Sequence, residues 1–180
     1  ARRGAAGGRR QAPQPAQGKP SPGRPAPSGD RERRERGGSR RAGEVRIIGG
    51  VWKRSKLPVL DREGLRPTPD RVRETLFNWL GQGLEGWRVL DVFAGTGALG
   101  FEAASRGAAS VVCVESDAAL VKAMLAAKER LAAGTLRVER GDAMTWMARA
   151  PRAAFDLVLL DPPFADRLHA AAIDRALPLL

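Results

Sequence analysis

The chain has 180 residues, a length typical of one domain with some residues to spare. Its formal charge is +11, and its one cysteine and one histidine exclude an internal disulfide and argue against a Cys- or His-rich metal site, so we expect no metal. No run approaches roughly 18 apolar residues and no apolar signal core begins the chain, which predicts a cytoplasmic protein without membrane contact.

Residues 1–44 differ sharply from the rest of the chain. They carry 12 basic and 4 acidic side chains and no Val, Ile, Leu, Met, Phe, Trp, Tyr or Cys. Such a segment cannot bury enough apolar surface to offset the entropy of ordering it, which predicts a disordered basic tail before a folded domain at 45–180. A polycation favours RNA through counterion release, and the alternative is a solubilising extension.

The first predicted elements are a β-hairpin and a helix. Residues 45–60 predict two short strands around Gly49–Gly50. Pro69 suits the first turn of the helix, and Thr68 is the predicted N-cap. Helical spacing predicts a buried apolar face on this helix, and Arg71 and Arg73 lie outside that face. The residues expected on that face are Val72, Leu76, Trp79 and Leu80.

The remainder alternates strands with helices. Strands are predicted at 87–92, 110–115, 136–140 and 155–160, and helices at 97–106, 117–132, 143–150 and 167–177. Asp117 is the predicted N-cap of the second of these helices. Alternation with short loops predicts an open, doubly wound α/β sheet, in which ligands bind at the carboxyl ends of the strands.

A glycine-rich turn follows the first strand of this sheet. Residues 95–100 have the GxGxxG spacing of a dinucleotide site, so a nucleotide-dependent oxidoreductase is one interpretation. Asp91, just before the turn, would repel a pyrophosphate but would tolerate S-adenosylmethionine, which carries a sulfonium and no phosphate. The alternative role for Asp91 is a carboxylate that caps the loop.

Two acidic residues follow the next two strands. Glu115 ends its strand and could accept both hydroxyls of a ribose, or it could be a solvated strand-end acid. Asp142 could accept from an adenine amino group beside the backbone N–H of Ala143, or it could be an ordinary helix cap. Both interpretations of each residue stay open from the sequence alone.

The sequence Asp161-Pro162-Pro163-Phe164 follows the last strand. Pro162 restricts Asp161 to an extended conformation, which would aim the Asp161 carboxylate and the Pro162 carbonyl into the cleft. Two fixed acceptors suit an exocyclic NH₂ group, and Phe164 offers a face on which a base can stack. A hydride-transfer enzyme does not need this element, and the alternative is a Pro-rich turn with a capping Asp.

Basic residues around an aromatic one cluster before and within the first helix. This composition favours an RNA-binding surface, although any single one of these residues could be a solvated charge. The candidates are Arg46, Trp52, Lys53, Arg54, Lys56, Arg66, Arg71 and Arg73.

These motifs resemble the RsmD family of 16S rRNA guanine-N2 methyltransferases, whose target is guanine 966. The family-specific part is GLRPTPDRVRETLFNWL at 64–80, supported by RIIGGVWKRSKLPV at 46–59 and DVFAGTGALGFEAASRGA at 91–108. The shorter matches are VESD at 114–117, GDAM at 141–144 and DPPF at 161–164. The last of these is typical of class I methyltransferases that modify exocyclic or amide nitrogens.

The resemblance implies S-adenosylmethionine as donor and an unpaired guanine in the small ribosomal subunit, or in its assembly intermediate, as acceptor. It also implies a class I (Rossmann-like) fold with seven strands, so we expect the natural chain to extend by roughly 40–50 residues. We expect a monomer. The implied cofactor residues are Asp91, Ala94, Gly95, Gly97, Glu115, Asp142 and Ala143, and the acceptor residues are Asp161, Pro162 and Phe164.

Other functions remain open at this point. The acceptor could be N6 of adenine or a protein glutamine, because the segment 158–164 is shared by amino-methyltransferases. The chain could also be an rRNA-binding assembly factor that keeps the fold without turnover. Each alternative predicts a different labelled product, or none.

Overall fold

The computed structural model describes residues 43–62, 67–162 and 168–180. The basic tail, apart from its last two positions, therefore lies outside the described residues, as do Arg66 and Phe164. β1 (Gly43–Arg46) and β2 (Lys56–Val59) form the expected antiparallel hairpin, with Val45 opposite Leu57.

The hairpin turn packs against the end of a later helix. The Val51 N–H donates to the Ser105 carbonyl at 2.8 Å, and the Ser105 hydroxyl donates to the Gly49 carbonyl at 2.6 Å. Gly50 has φ 71°, and a Cβ there would collide with the Ser105 carbonyl. This turn therefore needs glycine both for its left-handed backbone and for the close approach of another chain segment.

The first helix, α1 (Asp70–Trp79), lies where the sequence predicts it, but it buries another face. Arg73 and Phe77 are fully buried, whereas Trp79 is 82% exposed and Val72 is 52% exposed. The predicted buried face is therefore wrong for these two residues, and only Leu76 and Leu80 pack against the core. Phe77 belongs to the main hydrophobic core instead, and its ring lies 4.8 Å from the guanidinium carbon of Arg106.

The main sheet has four parallel strands in the order β5-β4-β3-β6 within the described residues. Those strands are β3 (Arg88–Val92), β4 (Ser110–Glu115), β5 (Leu136–Arg140) and β6 (Leu157–Leu160). The helices are α2 (Ala98–Ser105), α3 (Ala118–Arg130), α4 (Ala143–Arg149) and α5 (His169–Ala176), followed by a 3₁₀ turn at Leu177–Leu179. The predicted doubly wound α/β architecture is confirmed.

The two faces of the sheet bury separate apolar clusters. Val89 and Val111 pack with α2, α3, α1 and the hairpin. Leu90, Val92 and Val114 pack with α4 and α5. Because side chains alternate along a strand, the continuous apolar run 111–114 in β4 contributes to both clusters, as a parallel sheet requires. In the part of the chain that the structure describes, no helix is long and apolar enough to cross a membrane.

Candidate active site at the carboxyl ends of the parallel strands

The loop after β3 has an unusual backbone. Phe93, Gly95 and Gly97 have φ angles of 64°, 56° and 77°, all in the left-handed region. A Cβ on Gly97 would come within 2.8 Å of the Met124 sulfur, so the loop lies tightly against α3. A left-handed backbone at a bulky residue such as Phe93 is strained, and such strain often marks a functional site.

Asp91 caps the helix that follows this loop. Its carboxylate is 1% exposed, and its Oδ2 accepts a hydrogen bond of 2.8 Å from the N–H of Gly100 in the first turn of α2. A Cβ on Gly100 would collide with the Cys113 sulfur, which explains the glycine. The capping role of Asp91 is thus observed, its carboxylate has almost no open surface, and a cofactor contact stays a proposal.

The pKa of Asp91 is raised to about 7, mainly because burial removes water from the carboxylate. The folded state therefore holds a proton that the unfolded chain releases near pH 4. The resulting stabilisation is complete below that pH and is lost as the pH rises through about 7. We expect the free energy of unfolding to fall by up to about 4 kcal/mol across this window, as measured by urea unfolding between pH 4 and pH 8.

The variant Asp91→Asn tests this assignment. Asparagine keeps an oxygen that can accept from the Gly100 N–H, but it does not ionise. The fall in unfolding free energy between pH 4 and pH 7 should therefore be much smaller in this variant. An equal fall in the variant and the wild type would show that other groups cause it.

Glu115 joins two loops at the end of β4. Its Oε2 accepts from the Gly95 N–H at 2.8 Å, and its Oε1 accepts from the Asp117 N–H at 2.8 Å. The carboxylate is half-buried beside the strained loop. The Ser116 hydroxyl also donates to Oε1, at 3.3 Å, so Oε2 is the oxygen that keeps a lone pair for a ligand hydroxyl. Asp117 caps α3 as predicted, through the N–H groups of Ala119 and Leu120.

Asp142 caps α4 and lies beside an open cavity. Its Oδ1 accepts from the Thr145 N–H at 2.8 Å, and hydrogen bonds from Thr145 hold the pKa of Asp142 below its usual value. The cavity of about 520 Å³ is large enough for a nucleoside. Its lining includes Arg137, Glu139, Arg140, Asp142, Trp146 and Arg149. The helix-cap role is thus observed, and an adenine contact remains a proposal.

Asp161 lies directly after β6. This strand pairs with β3 on the side opposite β4, the strand that ends at Glu115. The Asp161 carboxylate is exposed, and its Oδ2 accepts a 2.7 Å hydrogen bond from the Thr68 hydroxyl. Pro162 is buried. Thr68 was the predicted N-cap of α1, but that position belongs to Pro69 and has no side-chain cap, so the prediction is wrong. Sequence spacing offers no signal for this contact, because the partners are 93 residues apart.

Strand order brings these groups to one edge of the sheet. β3 lies between β4 and β6, with Val92 beside Val114 on one side and beside Leu160 on the other. The strained loop is therefore flanked by Glu115 and Asp161. A ligand that carries hydroxyl groups and a positive charge suits this edge of the sheet, because both flanking groups are carboxylates. Among the described residues, no cluster of His, Cys, Asp or Glu is arranged to hold a metal ion.

The predicted RNA-binding residues do not form a uniform surface. Arg46, Arg54, Lys56 and Arg71 are exposed, and Lys56 pairs with Glu44 at 2.6 Å. Trp52 is half-buried, and its ring contacts Phe101 edge-on. Arg73 is fully buried and cannot reach RNA in this structure, so its prediction is corrected. Its charge is used inside the domain, in ion pairs with Asp70 and Glu102.

The fold and site define a Rossmann-like methyltransferase domain. A solved structure of a candidate methyltransferase from Escherichia coli is 42% identical, with TM-score 0.66, and the match covers 74% of this chain and 72% of that one. A candidate methylase from Haemophilus influenzae is 39% identical, with TM-score 0.61, covering 74% of this chain and 73% of that one. The sequence-based expectation for the fold class is confirmed.

The chain belongs to the family described as Conserved hypothetical protein 95, which matches residues 45–178. The E. coli K12 protein named Ribosomal RNA small subunit methyltransferase D is 48% identical over 123 residues, 68% of this chain and 62% of that protein. The protein of the same name from H. influenzae is 44% identical over 134 residues, 73% of this chain and 69% of that protein. The predicted RsmD resemblance is confirmed, and the chain spans about 62% of the E. coli relative's length.

Proposed function

We propose that this protein transfers a methyl group from S-adenosylmethionine to the exocyclic N2 of one unpaired guanine in 16S rRNA. The observation that carries the proposal is the position of Asp161, an exposed carboxylate beside the strained loop after β3. Similarity to proteins named rRNA methyltransferases supports the rRNA as substrate. The proposal includes the small subunit or its assembly intermediate as partner, a cytoplasmic location and a monomer.

The donor side is proposed to be built from Ala94, Gly95, Gly97 and Glu115. The glycines allow a ligand to approach the backbone, and the Glu115 carboxylate is placed to accept from ribose hydroxyls. Asp142 and the backbone of Ala143 would bind the adenine end. When bound, S-adenosylmethionine supplies an electrophilic methyl group on a sulfonium that leaves as a neutral thioether.

The acceptor side is proposed to be Asp161, with the Pro162 carbonyl and Phe164. The carboxylate accepts an N–H of the guanine amine and holds its nitrogen toward the donor loop. A bond forms from N2 to the methyl carbon as the carbon–sulfur bond breaks, and the lost N–H proton passes to Asp161 or to water. Holding both substrates in attack geometry lowers the barrier by roughly 7–11 kcal/mol, so no covalent enzyme intermediate is required.

The exposed cations of the hairpin and of α1 are proposed to contact RNA phosphates. The described members of this set are Arg46, Lys53, Arg54, Lys56 and Arg71, and Arg66 is its member outside the described residues. Trp52 is half-buried, so at most its open edge is available for a base. Because the guanine must leave its stack to enter the site, an unpaired base is favoured as acceptor.

The test is methyl transfer from labelled S-adenosylmethionine with the full-length protein. The acceptors are small subunits that lack the modification, free 16S rRNA, DNA and bulk protein, and the labelled position is mapped after digestion. We expect label on a single 16S guanine N2. Label on N6 of adenine or on glutamine would keep the chemistry and reject the acceptor. Binding of S-adenosylmethionine and rRNA with no transfer would favour an assembly factor.

A further inference from the structure

Thr68 and Asp161 meet although they belong to distant parts of the chain. Thr68 lies in the segment before α1, and its hydroxyl donates to Oδ2 of Asp161 at 2.7 Å. This contact joins the N-terminal elements to the carboxyl end of β6. A single hydrogen bond to an exposed carboxylate contributes little to stability, so the fold does not depend on it.

The backbone of Thr68 is held from behind by a buried side chain. The Arg73 Nε donates to the Thr68 carbonyl at 3.1 Å. The same guanidinium contacts Glu102 at 3.3 Å and donates to the Arg46 carbonyl at 2.8 Å. Arg73 is fully buried, so the support under Thr68 is rigid.

The local sequence restricts Thr68 further. Pro69 follows it, and a residue before proline is confined to extended conformations. Thr68 is also β-branched, which limits its χ1 rotamers. A hydroxyl with so little freedom has a defined position, whereas the exposed Asp161 carboxylate would otherwise sample several rotamers.

We propose that Thr68 is a positioning residue for methyl transfer: its hydroxyl holds Oδ2 of Asp161 and thereby leaves Oδ1 to accept from the acceptor amine. This inference rests on the proposed function, because it needs Asp161 to bind the acceptor. It explains why a polar side chain stands at the entrance to α1 without capping that helix. It also gives the N-terminal elements a part in the acceptor site.

The decisive comparison is between Thr68→Val and Thr68→Ser. Valine has nearly the shape of threonine but no hydroxyl, and serine keeps the hydroxyl. The matched control is Thr75→Val, since the Thr75 hydroxyl donates only to the Arg71 carbonyl of its own helix. We would measure single-turnover methyl transfer, the dissociation constants for S-adenosylhomocysteine and for the RNA acceptor, and thermal unfolding of each variant.

We expect Thr68→Val to slow single turnover by about 10–100-fold, a loss typical of residues that orient a functional side chain. Both dissociation constants and the unfolding temperature should stay near wild type, and Thr68→Ser and Thr75→Val should transfer normally. An unchanged rate in Thr68→Val, or equal losses in Thr68→Val and Thr68→Ser, would overturn the inference alone. If the wild type and Thr75→Val transferred no methyl group, the proposed function would fail with it.

Discussion

Replacing Asp161 with alanine is expected to lower the single-turnover rate of methyl transfer by about 10²–10³-fold, as removal of one preorganised polar group does in other active sites. The dissociation constant for S-adenosylhomocysteine should stay close to the wild-type value. The described contact of the Asp161 carboxylate is with Thr68, whereas the donor loop is held by Asp91 and Glu115. The variant therefore separates acceptor binding from donor binding.

The matched control is Asp156→Ala, at the opposite end of the same peptide segment. Asp156 pairs with Arg88 at 2.8 Å, and hydrogen bonds from Arg88 lower the pKa of Asp156 to about 2. It lies before β6 and Asp161 lies after it, so the control removes a carboxylate far from the acceptor site. A rate near wild type in Asp161→Ala, or an equal loss of donor affinity and rate, would contradict the assigned role.

Asp161→Asn divides the role of Asp161 into orientation and proton acceptance. Asparagine is a poor base and keeps one oxygen acceptor, which can accept either from the Thr68 hydroxyl or from the acceptor amine but not from both in the wild-type arrangement. We expect a rate between those of the wild type and Asp161→Ala, because orientation is partly kept. A rate as low as that of alanine would indicate that transfer needs the carboxylate itself, with two acceptor oxygens and a negative charge, and not one acceptor oxygen alone.

The sequence predicted the main sheet well because its signals are local. The apolar runs in β4 and β6 are those of strands buried on both faces, and short loops between strand and helix leave few topologies. The site groups Glu115 and Asp161 follow from this alternation, since the ends of parallel strands meet at one edge. Family motifs then indicated which of these strand ends to propose as functional.

The errors concentrate in α1, where the partners are distant in sequence. Helical spacing allowed two apolar faces, and the sequence interpretation chose the one with Trp79 rather than the one with Phe77. Arg73 was assigned to the surface because it lies outside the predicted apolar face and belongs to a group of basic residues, although arginine can be buried when it has a partner. That partner is Glu102, which is 29 residues away, so no local pattern could indicate it.

Asp91 illustrates a different limit. A carboxylate at the end of a strand can bind a ligand or support the loop above it, and both uses have the same sequence. Which of the two uses applies depends on the three-dimensional surroundings of the carboxylate. Here it accepts from the Gly100 N–H at 2.8 Å, and solvent is excluded around it. Periodicity fixes which face a residue occupies but not how deeply the next layer covers it.

The largest expected effect on stability comes from Glu102→Gln, which removes the negative charge from a buried cluster. Glu102 is fully buried between Arg73 and Arg106, with ion-pair distances of 3.3 Å and 2.8 Å. Its two oxygens also accept the Ile48 and Gly49 N–H groups, at 2.8 Å and 2.7 Å. One carboxylate thus joins the hairpin turn, α1 and α2.

Glutamine cannot replace these contacts. Glutamine has one acceptor oxygen. Its NH₂ group would face N–H groups whose hydrogen bonds one of the two Glu102 oxygens now accepts. Two guanidinium groups would be left with less compensation, Arg106 being 7% exposed and Arg73 fully buried. Breaking a buried ion pair from one side costs about 3–5 kcal/mol, so we expect a loss of that size in urea unfolding.

The matched comparison is again Asp156→Ala, which breaks an ion pair of similar length at the surface. The Arg88 and Asp156 side chains are 46% and 40% exposed, so water screens this pair and its loss should change the free energy of unfolding far less. Equal losses in the two variants would show that burial gives the Glu102 cluster no special weight. A large loss for Glu102→Gln alone would show that the buried charge of Glu102 contributes strongly to holding the hairpin and α1, and with them the exposed cations, against the methyltransferase fold.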